Sequence, residues 1–442
     1  MTTSRKAALD ILTRVEKEGS YSNLALDSFI SRSGVTQKDA ALATALVYGV
    51  LENQICLDYF ISHFAKRDAA KLQMNLRNIL RLGAYQLIFM NKIPDSAAVN
   101  ESVILSKGAG CAYASGFVNA VLREISRSDS KLPFPDKETD YISHLNIKYS
   151  CPIWLIEKWI AGYGREITEG LLESLSLRPP VAVRVNTLKT TPEGLINIFH
   201  DENIGAKKSA IAENGLELER LPDIRSLDSF KQGFFVMQDY ASQLCCIAVD
   251  ARAGETVFDM CAAPGGKSFT LGFLMGGIGS ITALELHEHR LKLISAGAKR
   301  LGLELIKTQL NDSSKHNEEL GLADRVLCDV PCSGLGVIRR KPEIRYKDPQ
   351  IFDDLPNLQY SILCEGAEHL RKGGTLVYST CTLNPDENEG VVKKFLAQNK
   401  DYELFPLPEG FAGVLQNDGS ITLFPHINGT DGFFIARFKR KD

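Results

Sequence analysis

Val326-Leu327-Cys328-Asp329-Val330-Pro331-Cys332-Ser333-Gly334-Leu335-Gly336 passes from an apolar run into turn-forming residues within a few positions. The run reads as a strand that ends at Asp329, and the Pro, Ser and Gly beyond it read as a loop. Open α/β sheets place ligands just outside the carboxyl ends of their strands. Pro331 restricts the backbone leading into Cys332, so this thiol is a first candidate nucleophile. Strand signals recur on both sides, at 256–260, 280–285, 303–310, 325–329 and 375–379, with helical segments between them. That alternation predicts a doubly wound, mainly parallel sheet. Two further strands, at 403–405 and 432–438, are placed to pair antiparallel at one edge.

The first strand of this series runs into Asp259-Met260-Cys261-Ala262-Ala263-Pro264-Gly265-Gly266-Lys267-Ser268 and then a helix from Phe269. A glycine-rich strand-to-helix turn lets backbone amides approach a ligand, and the helix amino terminus favours negative charge. The spacing is neither the dinucleotide fingerprint nor the phosphate-binding loop. Glu285 closes the next strand about twenty residues on, where adenosine sites place a carboxylate on ribose hydroxyls. Asp312 follows the third strand and suits an adenine amino group. A glycine loop and two acids at three successive strand ends point to an adenosine-containing cofactor.

The fifth strand ends in Ser379-Thr380-Cys381-Thr382-Leu383-Asn384-Pro385, so adjacent parallel strands carry Cys332 and Cys381 to one sheet edge. Two thiols there suit chemistry on cytosine. Carbon 5 of that ring is a poor nucleophile until a thiolate adds to carbon 6 and makes an enamine. Asp329 is placed to stabilise charge developing at ring nitrogen 3, and Lys267 to hold a thiolate or orient Asp329. Amino-group methylation normally uses an Asp/Asn-Pro-Pro-aromatic loop, where this chain has Asp-Val-Pro-Cys. Residue chemistry alone leaves open which thiol attacks.

The rest of the chain supplies context. From residue 4 to about 127, apolar residues recur at helical spacing, among them Ala8, Ile11, Leu12, Val15, Leu76, Ile79 and Leu80, which predicts an all-helical domain over 1–130. Arg77, Arg81, Lys92, Arg123 and Arg127 offer it an RNA-facing patch, with a solvated face as the alternative. Residues 126–140 read as a polar linker. A small α+β module is expected over 140–237, with strands at 181–186, 216–221 and 233–237 and helices near 153–176 and 192–200. The sheet domain then occupies 238–442. With 442 residues, 44% of them hydrophobic, the chain has material for several cores. Its net charge of −3 makes any nucleic-acid surface a local one. Ten cysteines without a C-x-x-C pair argue against a structural zinc site or a disulfide framework, and no metal is expected. No signal peptide or membrane-length apolar run is read, so a cytoplasmic protein, expected to be a monomer, follows.

Taken together, CAAPGGK, DVPCSG and STCTLNPDENE resemble the RNA 5-cytosine methyltransferases that use S-adenosylmethionine. RPPVAVRVNTL and GFFVMQDYASQL resemble that family's small preceding module. LGAYQLIFMNKIPDSAAVNES and GFVNAVLREI resemble NusB-type RNA-binding domains. The combination is most similar to the bacterial RsmB (Sun/Fmu) family. The resemblance implies a multidomain protein: an all-α NusB-like domain, a small α+β module and a Rossmann-like class I methyltransferase domain. It further implies that Cys261, Ala262, Ala263, Pro264, Gly265, Gly266, Lys267, Glu285, Asp312 and Asp329 line the cofactor site. By the same resemblance Cys381 attacks, Cys332 assists release of the product and the substrate is 16S ribosomal RNA. Glu285 stands where the family often has aspartate, and Asn311 where glycine is usual. The segment 338–347, with Arg339, Arg340, Lys341 and Arg345, offers a basic patch for RNA phosphates; Arg184 and Asn186 are weaker candidates. A transfer RNA substrate is the alternative within the enzyme class. An RNA-binding or antitermination factor with a vestigial catalytic domain is the alternative outside it.

Overall fold

The apolar positions at helical spacing converge on one core in the computed structural model, which describes residues 4–31, 35–128, 134–220, 223–408, 411 and 419–441. Seven α-helices among the described residues precede position 128: α1 (Ser4–Glu18), α2 (Ser22–Ile30), α3 (Gln37–Glu52), α4 (Gln54–Ala65), α5 (Met74–Phe89), α6 (Asp95–Gly108) and α7 (Ser115–Arg127). Ala8, Leu12, Leu46, Val50, Leu57, Ile79, Leu80, Val118 and Leu122 all lie in their shared core. Close packing explains Gly49 of α3, where a Cβ would fall within 1.9 Å of the Tyr85 ring. Arg81 departs from the expected RNA-facing patch. It is buried, and its guanidinium forks onto Asp58 (2.7 and 2.6 Å) while also reaching Glu16 at 3.2 Å. Arg77 is likewise paired with Glu16. No single described helix is long and apolar enough to cross a membrane.

The helical unit is larger than the expected domain. Residues 1–177 together with 338–348 form one compact unit, and 178–337 with 349–442 the other. The polar segment 126–140 does not divide them, because Phe134 stacks edge-on against Phe60 at 5.6 Å. Two more helices follow, α8 (Tyr141–Lys148) and α9 (Ile153–Ser174). Residues 129–133 of that segment lie outside the described residues, as do 221 and 222 at the end of one expected strand.

The basic segment 338–347 is built into the helical unit. Ile338, Ile344 and Arg345 are buried, and Arg345 Nη1 donates to the carbonyls of Tyr149 and Ser150, both at 3.3 Å. Glu343 accepts from Ser22 N at 3.0 Å and Ser22 Oγ at 2.9 Å, and the Tyr346 hydroxyl donates to Leu51 O at 2.7 Å. Arg339 is also buried, so the expected phosphate face is reduced to the half-exposed Arg340 and Lys341. The pattern of charges misled because Arg339 and Arg345 are buried while Arg340, Lys341 and Lys347 are half-exposed.

In the second unit a four-stranded antiparallel sheet comes first, from β1 (Val181–Val185), β2 (Ala206–Lys208), β3 (Gly215–Leu218) and β4 (Phe235–Met237), in the order β2-β3-β1-β4. Helix α10 (Pro192–Asp201) covers it with Leu195 and Phe199. Arg184 and Asn186 serve this module's interior. Arg184 is buried against Glu213 O, and Asn186 Nδ2 donates to Gly233 O (2.8 Å) and Leu301 O (3.0 Å). After the short helix α11 (Asp228–Lys231) comes the large sheet, with β5 (Thr256–Asp259), β6 (Ser280–Glu285), β7 (Ile306–Leu310), β8 (Ala323–Asp329), β9 (Leu370–Thr380), β10 (Tyr402–Leu404), β11 (Ser420–Leu423) and β12 (Phe433–Arg440). Their order is β10-β12-β9-β8-β5-β6-β7, with β11 also on β12. Strands β5 to β9 are parallel, and β12 is antiparallel to β9. Helices α12 (Tyr240–Val249), α13 (Gly266–Leu274), α14 (Glu288–Leu301), α15 (Leu355–Glu368) and α16 (Glu389–Gln398) belong to this unit. The order reverses between β5 and β8, a switch point that opens a crevice at the carboxyl edge.

Candidate active site

The loop after β5 is shaped by its glycines. Gly265 has φ +107°, a left-handed conformation that favours glycine, and a Cβ there would lie 2.4 Å from the Phe269 ring. Helix α13 therefore starts immediately beyond the loop, with no side-chain cap on its first turn. A cavity of about 230 Å³ lies over it, lined by Gln238, Asp259, Cys261 to Pro264, Gly266, Lys267 and Asp329 among others. Asp259 ends β5 fully buried; Ser268 Oγ donates to its Oδ2 at 2.6 Å, while Oδ1 has no partner. Burial pushes this carboxyl up to about 6. The residue lines the cavity, and its unpartnered oxygen would suit a ligand cation. Sequence reasoning quoted Asp259 and passed it over.

Glu285 and Asp312 stand at the ends of β6 and β7, as their positions imply. Buried Glu285 accepts from His287 N at 3.0 Å and pairs with Arg290 at 3.1 Å, and the same guanidinium donates to Ala263 O at 3.0 Å. Arg290 thus ties the acid to the glycine loop, a link invisible in the sequence. Asp312 is held below the usual carboxylate range by Lys315, at 2.8 Å, and by Ser314. Asn311, the departure from glycine, is buried and bonded to Asn317 and Ser313; Ser313 Oγ in turn donates to Met260 O at 2.5 Å.

At the switch point, Lys267 Nζ donates to Asp329 Oδ2 at 2.7 Å, and Ser379 Oγ donates to Oδ1 at 2.8 Å. Burial alone would lower the Lys267 ammonium, but Asp329, with the buried Cys245 and Cys246, more than offsets it and holds it above its ordinary range. The Phe433 ring centroid lies 5.2 Å from Nζ.

Cys332 and Cys381 come together as the parallel pairing of β8 and β9 requires. Their sulfurs are 3.1 Å apart and both residues are half-buried. The hydrogen bond to Cys381, then burial, pushes the Cys332 thiol well above its usual value. Glu387, fully buried, staples the two loops. Its Oε2 accepts from Ser333 N (2.9 Å) and Gln359 Nε2 (2.8 Å), and its Oε1 from Asn384 Nδ2 (2.8 Å). Ser333 and Thr382 hydroxyls meet at 2.6 Å, and Gly336 N donates to Cys381 O at 3.0 Å. A Cβ at Gly336 would meet Gly432 O at 2.0 Å, so this crossing admits glycine alone. The acid-rich run after Cys381 was the available signal for Glu387.

Three family matches tile the chain: the NusB family at residues 2–127, a ferredoxin-like domain of RsmF/B-type methyltransferases at 151–225, and the 16S rRNA methyltransferase RsmB/F family at 246–439. A probable ribosomal RNA small subunit methyltransferase B of Bacillus subtilis is 39% identical over all of this chain and 99% of its own length. The corresponding Synechocystis protein is 36% identical over the whole of both chains. Among solved structures, that of PH0851 superposes with a TM-score of 0.83 at 26% identity, covering 99% of this chain and 98% of that one. On this full-length similarity, together with its helical, ferredoxin-like and Rossmann-like parts, the chain belongs to the RsmB/F family of methyltransferases.

Proposed function

We propose that this protein transfers a methyl group from S-adenosylmethionine to carbon 5 of a cytosine in 16S ribosomal RNA, with Cys381 as the nucleophile. The observation that carries the reading is the pair of thiols 3.1 Å apart at the switch point. The cavity over the glycine loop fits the cofactor, since Asp259 Oδ1 offers an unpartnered oxygen to an ammonium and Glu285 and Asp312 lie at the strand ends beyond. When bound, the cofactor supplies an electrophilic methyl group.

The chain's own residues then divide the work. The Cys332 thiol keeps its proton and donates it in a hydrogen bond that stabilises Cys381 as thiolate. That thiolate adds to carbon 6, forming a C–S bond and moving electrons toward carbon 5 and nitrogen 3. The Lys267–Asp329 pair supplies a proton to nitrogen 3, so the charge developing there is neutralised, and takes it back when the ring double bond is restored. Once carbon 5 carries the methyl group, its hydrogen must leave. Bonding of Cys381 to carbon removes the largest influence holding the proton on Cys332; Cys332 then gives that proton to solvent and, as thiolate, takes the carbon 5 proton. Loss of the carbon 5 proton restores the ring double bond, breaks the C–S bond and returns Cys381 as thiolate. Arg340, Lys341 and Lys347 are the half-exposed basic side chains of 338–347 offered to phosphates.

The test uses labelled S-adenosylmethionine with unmodified 16S RNA, and with transfer RNA as a second substrate. Product containing 5-methylcytosine is expected from 16S RNA only. Cys381→Ala abolishes both methylation and covalent capture of RNA, whereas Cys332→Ala accumulates a stalled protein–RNA adduct. Absence of 5-methylcytosine sinks the reading, and the reverse mutant pattern exchanges the two thiols.

A further inference from the structure

Away from the thiols, at the amino edge of the large sheet where α15 turns into β9, three side chains converge without a role in the chemistry above. His316 lies on the connection between β7 and β8, and Glu365 and His369 lie four residues apart at the end of α15. Glu365 Oε1 is 3.0 Å from His316 Nδ1 and 2.9 Å from His369 Nε2. Their ligand atoms all fall within 4.8 Å of one another. Glu365 and His369 are buried, while the His316 side chain is 58% exposed.

A backbone carbonyl orients His369 from behind. Its Nδ1 lies 2.9 Å from Gly321 O, a carbonyl that only accepts, so Nδ1 carries the hydrogen. Nε2 then faces the Glu365 carboxylate, and the two are bridged by either a proton or a metal ion. His316 Nδ1 points at the same oxygen, and its ring is parallel to that of His369 within 3°. A nitrogen–nitrogen–oxygen set oriented by a backbone carbonyl behind one histidine is what a zinc-class ion takes. The exposed side of His316 leaves room for entry and for a fourth ligand from water.

We propose that His316, Glu365 and His369 bind one divalent transition-metal ion of the zinc class. The ion would clamp the β7–β8 connection to α15. That connection carries Asn317, whose side chain donates to Asn311 Oδ1 at 2.8 Å, so the clamp supports the segment holding Asp312.

Full-length protein stripped with EDTA and titrated with Co²⁺ tests this. One equivalent should bind with visible d–d bands, without thiolate-to-cobalt charge transfer, and Zn²⁺ should displace it. His316→Ala changes an exposed side chain and should weaken binding roughly a hundredfold, the upper end of what losing even a supporting residue costs. Glu365→Gln should do the same. Zn²⁺ should raise the melting temperature of the parent protein and leave that of His316→Ala unmoved. No bound cobalt, a thiolate charge-transfer band, or undiminished binding by His316→Ala would overturn the proposal, the last two by assigning the ion to cysteines or elsewhere.

Discussion

Asp259 is a carboxyl group buried at the end of a strand with one oxygen unpartnered. Between its ordinary 3.8 and about 6, the folded chain retains a proton there that the unfolded chain has released. The folded state binds more protons, so this group's contribution to stability falls as pH rises through that window, by about 3 kcal/mol in all. Asp259→Asn removes the penalty: in the absence of cofactor its urea midpoint should exceed that of the parent at pH 7.5 and match it near pH 4. Its affinity for S-adenosylmethionine should fall at least about tenfold, the cost of losing a hydrogen bond to a charged group. Unchanged affinity by calorimetry would remove Asp259 from the cofactor site. This residue also marks a limit of sequence reading. A strand end, a glycine loop and two cysteines are visible as patterns, but an unpartnered oxygen exists only once neighbours have taken up all the others.

At the scale of elements, one buried glutamate links the loops that carry Cys332 and Cys381, beside the Ser333–Thr382 and Gly336–Cys381 bonds. Glu387→Gln keeps the shape but puts an amide nitrogen against the donors from Ser333 or Gln359. Methylation should drop about 10- to 100-fold in kcat, as expected when a reacting group is misplaced by about 1 Å, with KM for the cofactor unchanged. A fall in cofactor affinity instead would mean that Glu387 supports the cavity rather than the thiols. Gly336→Ala should be harsher, because its Cβ would strike the Gly432 backbone; thermal denaturation should show a loss of several kcal/mol, the scale of overpacking or more. The β5-to-β9 series was legible in the sequence because parallel strands buried on both faces are apolar runs with glycine and acids at their ends. The short strands β2 and β11 were not, since three or four residues, such as Ala206–Lys208, carry too little alternation. Arg345 shows the converse error: a guanidinium in a basic run reads as a phosphate ligand until packing shows it bonded to buried carbonyls.

For the whole molecule, the decisive fact is that residues 338–348 belong to the helical unit while the chain on both sides belongs to the other. A truncated protein lacking 1–177 should therefore expose Ile338, Ile344 and Arg345, and size-exclusion chromatography should show it aggregated. Replacing Ile338 and Ile344 by polar residues should restore a soluble, folded remainder; failure to do so would mean that the segment is not the cause. The multidomain architecture was readable from composition and motifs, but this exchange between units was not, because nothing local distinguishes a loop that stays from one that crosses.

The bond between Ser22 and Glu343 spans 321 residues of sequence. On the ribosome, where chains lengthen by 5–20 residues per second, the second partner emerges on the order of 16 to 64 s after the first. The amino-terminal helices must therefore wait, with the bed for Ile344 and Arg345 open, until most of the enzyme has been synthesised. Their completion is a late event in the life of the nascent chain, timed by translation rather than by their place at its beginning.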